Sequence, residues 1–164
     1  MKILGIDPGY AIVGYGLIEH NLTRFTPLDC GVLTTPQNMA FPKRLKSLYD
    51  AASLLIAQHK PDVLAIETLF FNTNVTTAIA VGHARGVLIL AAENASVPVF
   101  EYTPLQIKQA ITGYGRADKQ QMQQMVKMLL GLAVVPKPDD AADALAVAIC
   151  HGQSYKLNQK MGER

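Results

Sequence analysis

The chain has 164 residues, 49% of them apolar, with 12 glycines and a formal charge of only +2. That length and apolar content favour one globular domain with a substantial core over a disordered chain, and the small charge does not by itself announce a nucleic-acid binder. Cys30 and Cys150 are too few for a disulfide framework and read as core thiols of a reducing compartment. The apolar run before Asp7 is too short for a secretory signal, and His83 and Arg85 interrupt the weakly charged stretch 75–92 where a membrane helix would rarely carry them. A cytoplasmic protein is expected.

In chain order, Ile3 to Asp7 reads as a short buried strand stopped by the turn residues Pro8-Gly9. Ile12 to Glu19 and Arg24 to Leu33 flank His20-Asn21 and suggest two long antiparallel strands joined by a tight turn at that pair. Phe41, Leu45, Leu48, Ala52, Leu55 and Ile56 recur at helical spacing. Val63 to Glu67 is a second short apolar strand that again runs into a carboxylate. Val75 to Glu93 is a long helix and Val97 to Tyr102 a third short strand. Pro104 to Ile111 and Lys119 to Leu130 are helical, separated by the loop Gly113-Tyr114-Gly115. A final helix covers Asp140 to His151, with His151 as its C-terminal cap, and residues 153–164 form a polar, disordered tail.

This order predicts an α/β fold: a five-stranded mixed sheet with helices on both faces. Strands one, four and five, apolar throughout, are its parallel interior, and strands two and three its antiparallel edge. Residues 1–152 form a single domain.

Ligands of open α/β sheets gather at the carboxyl ends of the strands, and two central strands end there in Asp7 and Glu67. Asp140 and Asp143 share one face of the last helix, and the alanines at 141, 142, 144 and 146 let that helix lie close to a neighbour. Taken singly, each acid is at least as well explained as a turn, a cap or a strand end. Taken together, four converging carboxylates repel one another unless cations fill the site. All-oxygen ligands suit Mg2+, or Mn2+ as a substitute. Two such ions about 3.5–4 Å apart can stabilise both oxygens of a phosphoryl displacement.

The segments GIDPG with GYG, AIETLFFNTN, TAIAVGHARGV, VFEYTPLQIKQAITGYGRADKQQM and PDDAADALAVAICH run over residues 3 to 151. Together they resemble the RuvC-type Holliday-junction resolvases, a family of ribonuclease H-like fold. The resemblance implies a magnesium-dependent endonuclease that resolves four-way DNA junctions by paired symmetric nicks, leaving 5′-phosphate ends. In that family the equivalents of Asp7, Glu67, Asp140 and Asp143 hold the metal and cut the phosphodiester. Val13 and His83 stand where family members often have threonine and glutamine, and neither touches the acidic set.

Lys108, Arg116, Lys119 and Lys127 flank the GYGRADK loop, whose glycines expose backbone suited to phosphate. A solvated basic face competes with that reading; the resemblance assigns DNA contact to Lys108 and Lys119. Of Phe70 and Phe71, one belongs in the core and the other is free to stack on a base. The resemblance favours Phe70 for that role. Tyr10 and Tyr15 read as packing residues.

The helix 75–92 is apolar on most of its circumference, with Ala78, Gly82 and Gly86 at four-residue spacing. It is either buried within the chain or half of a homodimer, and the two-fold symmetry of a junction favours the dimer. The resemblance adds a branch-migration helicase complex as a further partner. Three rival readings carry specific objections. An RNA-cutting ribonuclease H-like enzyme does not explain the paired phenylalanines and the GYGRADK loop. A sugar-kinase or actin-like ATPase needs a second domain of this size. A non-catalytic junction-binding protein has no use for four acids that weaken phosphate binding.

Overall fold

The computed structural model describes residues 1–21, 23–69 and 75–162. Five strands, β1 (Lys2–Asp7), β2 (Ile12–Asn21), β3 (Arg24–Thr34), β4 (Val63–Glu67) and β5 (Val99–Tyr102), form one sheet in the order β3-β2-β1-β4-β5. β1 runs antiparallel to β2 and parallel to β4, and β4 is parallel to β5, as the sequence leads one to expect. The expected interior is corrected: β5 is an edge strand with Phe100 and Glu101 exposed, and β2 lies inside the sheet between β3 and β1.

Alternation along β1 explains the layers. Ile3 packs on one face of the sheet with Ile18, Ala65 and α5 (Asp139–Gly162), backed by α3 (Pro104–Thr112) and α4 (Lys119–Leu129). Leu4 and Ile6 point to the other face, with Val13, Leu17 and Ile66, beneath α1 (Phe41–His59) and α2 (Val75–Asn94). Successive side chains on a strand face opposite ways, so an unbroken apolar run supplies two cores at once.

Four local expectations are corrected. β2 continues through His20 and Asn21, the pair expected to turn, and Asn21 pairs with Arg24. β5 starts at Val99, because Val97 donates its N–H back to Ala92 at the end of α2 and Pro98 has no N–H to give. α5 does not stop at His151 but runs to Gly162. His151 is therefore no cap: it lies buried inside the helix with Nδ1 2.8 Å from the Tyr102 hydroxyl. Finally, Cys30 is exposed on the edge strand β3, whereas Cys150 is buried as expected.

The turn after Asp7 is anchored from below. Arg44 of α1, buried at 2% exposure, donates from Nε to Thr35 Oγ1 at 2.8 Å and from Nη1 to the Tyr10 hydroxyl, with its guanidinium 3.8 Å from the Tyr10 ring centre. Thr35 Oγ1 in turn donates to the Tyr10 carbonyl at 3.1 Å. A guanidinium satisfied wholly by neutral acceptors and a ring face stays compatible with burial.

Candidate active site

Asp7 is the last residue of β1 and Glu67 the last of β4. Parallel pairing of Ile6 with Ile66 leaves the two acids side by side, one strand spacing of about 4.8 Å between their backbones. They stand where the sheet ends and both chains turn away.

The first turn of α5 arrives over β2. Gly14 pairs with Asp7 across the ladder, and a Cβ at 14 would lie 2.0 Å from the Asp140 carbonyl oxygen. Gly5 is in the same position one turn further along α5: its Cβ would lie 2.1 Å from the Ala144 carbonyl oxygen. The helix thus rests on bare backbone, with Ala141, Ala142 and Ala144 buried in the contact. Close approach of this kind brings Asp140 beside Asp7 and turns Asp143 into a cleft shared with Glu67.

Two capped helices form the opposite wall. Thr103 with Gln106 closes a capping box on α3, and Asp118 with Gln121 closes one on α4. These fix the helix starts and so aim Lys108 and Lys119 into the cleft, which has a volume of about 220 Å3 and a floor of Ile107, Met122 and Ala146. Arg116 is exposed on the loop between α3 and α4, outside the lining, and Lys127 lies in the last turn of α4.

The acids feel one another. Burial, then Glu67, Asp143 and Asp140, push the Asp7 carboxyl up to about 7, against the pull of Lys119. Burial and then Asp143 raise Glu67, with Lys108 opposing. Burial raises Asp143 too, and its hydrogen bond to Lys119 opposes the rise. Lys119 Nζ sits 3.2 Å from Asp143 and 3.5 Å from Asp139, and Lys137 Nζ is 2.7 Å from Asp139. Lys137 holds the Asp139 carboxyl below its usual range, which separates this exposed residue from the raised group.

Among the described residues no three His, Cys, Asp or Glu side chains already form a ready set of metal ligands. The chemistry of the donors still fits a hard divalent cation: Asp7, Glu67 and Asp143 are all oxygen ligands whose charge is penalised by burial and by each other. Phe70, expected to stack on a base, and its neighbour Phe71 lie outside the described residues.

Two participants escaped the sequence. Asp139 is the counter-charge for its near neighbour Lys137 and also for Lys119, and only the docking of α4 against α5 creates the second pairing. Arg85, noted in the sequence for its charge alone, donates from Nε to the Glu67 carbonyl at 3.2 Å.

The family model described as "Crossover junction endodeoxyribonuclease RuvC" matches residues 3–151. The protein of that description from Alkaliphilus oremlandii is 62% identical over 159 residues, covering 97% of this chain and 97% of its own. The Thermus thermophilus RuvC structure superposes with a TM-score of 0.89 at 33% identity, covering 96% of this chain and 97% of that one. A second Thermus thermophilus structure, RuvC in complex with Holliday junction substrate, gives a TM-score of 0.88 at 30% identity, with 96% of each chain covered.

Proposed function

The chain belongs to the RuvC family of crossover junction endodeoxyribonucleases, and we propose that it cuts Holliday junctions in the cleft between the ends of β1 and β4 and the first turn of α5. It is a Holliday-junction resolvase of ribonuclease H-like fold. The observation that carries the assignment of the site is the side-by-side ending of β1 in Asp7 and β4 in Glu67, with Asp140 laid over Gly14.

Asp7, Glu67, Asp140 and Asp143 are the residues that would hold divalent metal, Mg2+ or in its place Mn2+, as two ions per site. When bound, such ions stabilise charge on the attacking and leaving oxygens of an in-line displacement at phosphorus. The chain's own groups do the rest. Burial and the neighbouring Glu67, Asp143 and Asp140 hold a proton on Asp7 up to about pH 7, and a cation arriving beside it would favour the ionised carboxylate. Lys119 is bound to Asp143 and Asp139, near enough to exchange those partners for a phosphate oxygen. Lys108 faces the same cleft from α3. Arg116 contacts phosphate from the neighbouring loop, and Phe70 stacks on a base at the junction centre.

Two copies are needed for two opposed nicks, and the exposed face of α2 supports a homodimer. Ile79 and Leu90 are more than half exposed there, and a Cβ at Gly86 would meet nothing within 4 Å. With Leu45, Gly82, His83 and Val87 they line a groove of about 500 Å3. Ala84 and Leu88 meanwhile fill the core on the other side, so burial within one chain accounts for only half the helix. Residues 1–152 serve as one nuclease domain. The enzyme acts in the cytoplasm, on junctions delivered by a branch-migration helicase complex; among the described residues no helix is long and apolar enough to cross a membrane.

A labelled four-way junction, a linear duplex and an RNA–DNA hybrid, each with and without magnesium, test this reading. Paired symmetric nicks in the junction alone, dependent on magnesium, are expected. Binding without cutting would favour a junction-binding protein, and cutting of the hybrid would favour the RNA enzyme.

A further inference from the structure

We infer that Arg85 is a positioning residue for Glu67, a role that rests on Glu67 being one of the metal-holding acids. The guanidinium reaches from α2 across the end of the sheet. Its Nε donates to the Glu67 carbonyl at 3.2 Å, and its Nη2 stands 2.7 Å from Oε2 of Glu101 on β5, an ion pair without hydrogen-bond alignment. The Arg85 side chain is 18% exposed and that of Glu101 52%, so the bond to Glu67 is shielded while its counter-ion stays wet.

Glu67 is where β4 leaves the sheet. The next residue, Thr68, is still tied to β5 by its N–H to the Tyr102 carbonyl at 2.8 Å. The peptide between Glu67 and Thr68 is thereby held from two directions, Thr68 N–H toward β5 and Glu67 C=O toward α2. The orientation of that peptide sets the direction of the Glu67 Cα–Cβ bond, and a carboxylate at the end of two further bonds magnifies any tilt. Misplacement by about 1 Å is enough to cost roughly a hundredfold in rate. Arginine suits the task because its planar fork serves two acceptors at once; lysine offers a single point charge that must choose between Glu67 and Glu101. The anchor lies on the same helix as Gly82 and Gly86, so loss of the dimer has to be separated from loss of alignment.

The test uses the full chain and the variants Arg85→Lys and Glu101→Gln. Single-turnover cleavage of a four-way junction is measured across magnesium concentration, beside junction affinity without metal, sedimentation, and the rise in melting temperature that magnesium produces. For Arg85→Lys we expect cleavage slowed roughly tenfold or more, a higher half-saturating magnesium concentration and a smaller thermal rise, with affinity and dimerisation unchanged. Glu101→Gln should show the same signs to a lesser degree, since the Nε bond survives; its exposed position leaves the fold intact and decides the matter if the lysine variant melts too low. Both variants cutting within about twofold of wild type at every magnesium level would overturn the role. So would a rate loss matched by monomerisation. A wild type that leaves junctions uncut would instead defeat the assignment of the site.

Discussion

Asp140 and Gly14 occupy the same space that a side chain at 14 would need: an added Cβ would fall 2.0 Å from the Asp140 carbonyl oxygen and 3.1 Å from its Cβ. The contact is to backbone, which cannot swing aside as a flexible side chain can. The acid of α5 is therefore beside Asp7 only because residue 14 has none.

Gly14→Ala should push the first turn of α5 off the sheet. Overpacking of this kind costs about 1–3 kcal/mol, and cleavage should fall much further than stability because Asp140 moves with the helix. Thermal melts beside junction cleavage check this; a variant destabilised but fully active would show that Asp140 need not sit there.

Acidity offers a second check. In the metal-free protein the Asp7 carboxyl is raised to about 7, by burial first and then by Glu67, Asp143 and Asp140, against about 3.9 in an unfolded chain. The folded state holds this proton more tightly, so its contribution to stability is fully present below about pH 4 and is lost as pH rises through about 7. Asp7→Asn cannot titrate. Its melting temperature relative to wild type, without metal, should therefore climb between pH 5 and pH 8, and magnesium should narrow the gap at pH 8.

Phe70→Ala should bind junctions nearly normally and cut them slowly, because the cost of opening the junction centre is no longer offset by stacking. A junction with unpaired bases already at its centre should recover much of the rate. Equal defects on both substrates would mean that Phe70 shapes the cleft instead.

Gly82→Glu probes the dimer. A Cβ at 82 would meet only Leu69 Cδ1, at 3.9 Å, so the single chain accommodates a larger residue. Sedimentation should show monomers that have lost coordinated double nicking. A wild type that sediments as a monomer at micromolar concentration, with and without junction, would remove the basis of the dimer.

Much of this was legible in the sequence, for physical reasons. Val63–Glu67 is apolar up to its terminal acid and is bounded as expected, and Asp7 likewise closes β1. What stayed hidden depends on partners distant in the chain. His151 looks like a helix end because Gly152 follows it, yet the helix continues, with Gly152 packed against Phe25. Burial and the neighbouring His20 then push the His151 imidazole down to about 4, the opposite of what a charged cap would show. His20-Asn21 has turn-forming residues, but the hairpin register carries both into β2. Nothing in residues 41–59 marks Arg44 for burial; its acceptors come from Tyr10 and Thr35. Arg85 reads as a lone charge until the tip of β4 is folded against it.

The most direct measurement of the central claim is single-turnover cleavage of a labelled four-way junction by Asp7→Asn and Glu67→Gln at saturating magnesium, with junction affinity measured on the same preparations. The two acids belong to one metal edge, so each variant should bind the junction as tightly as wild type or more tightly, having lost a negative charge that faces phosphate, and should fail to cut it. Either variant cutting at the wild-type rate would contradict the account.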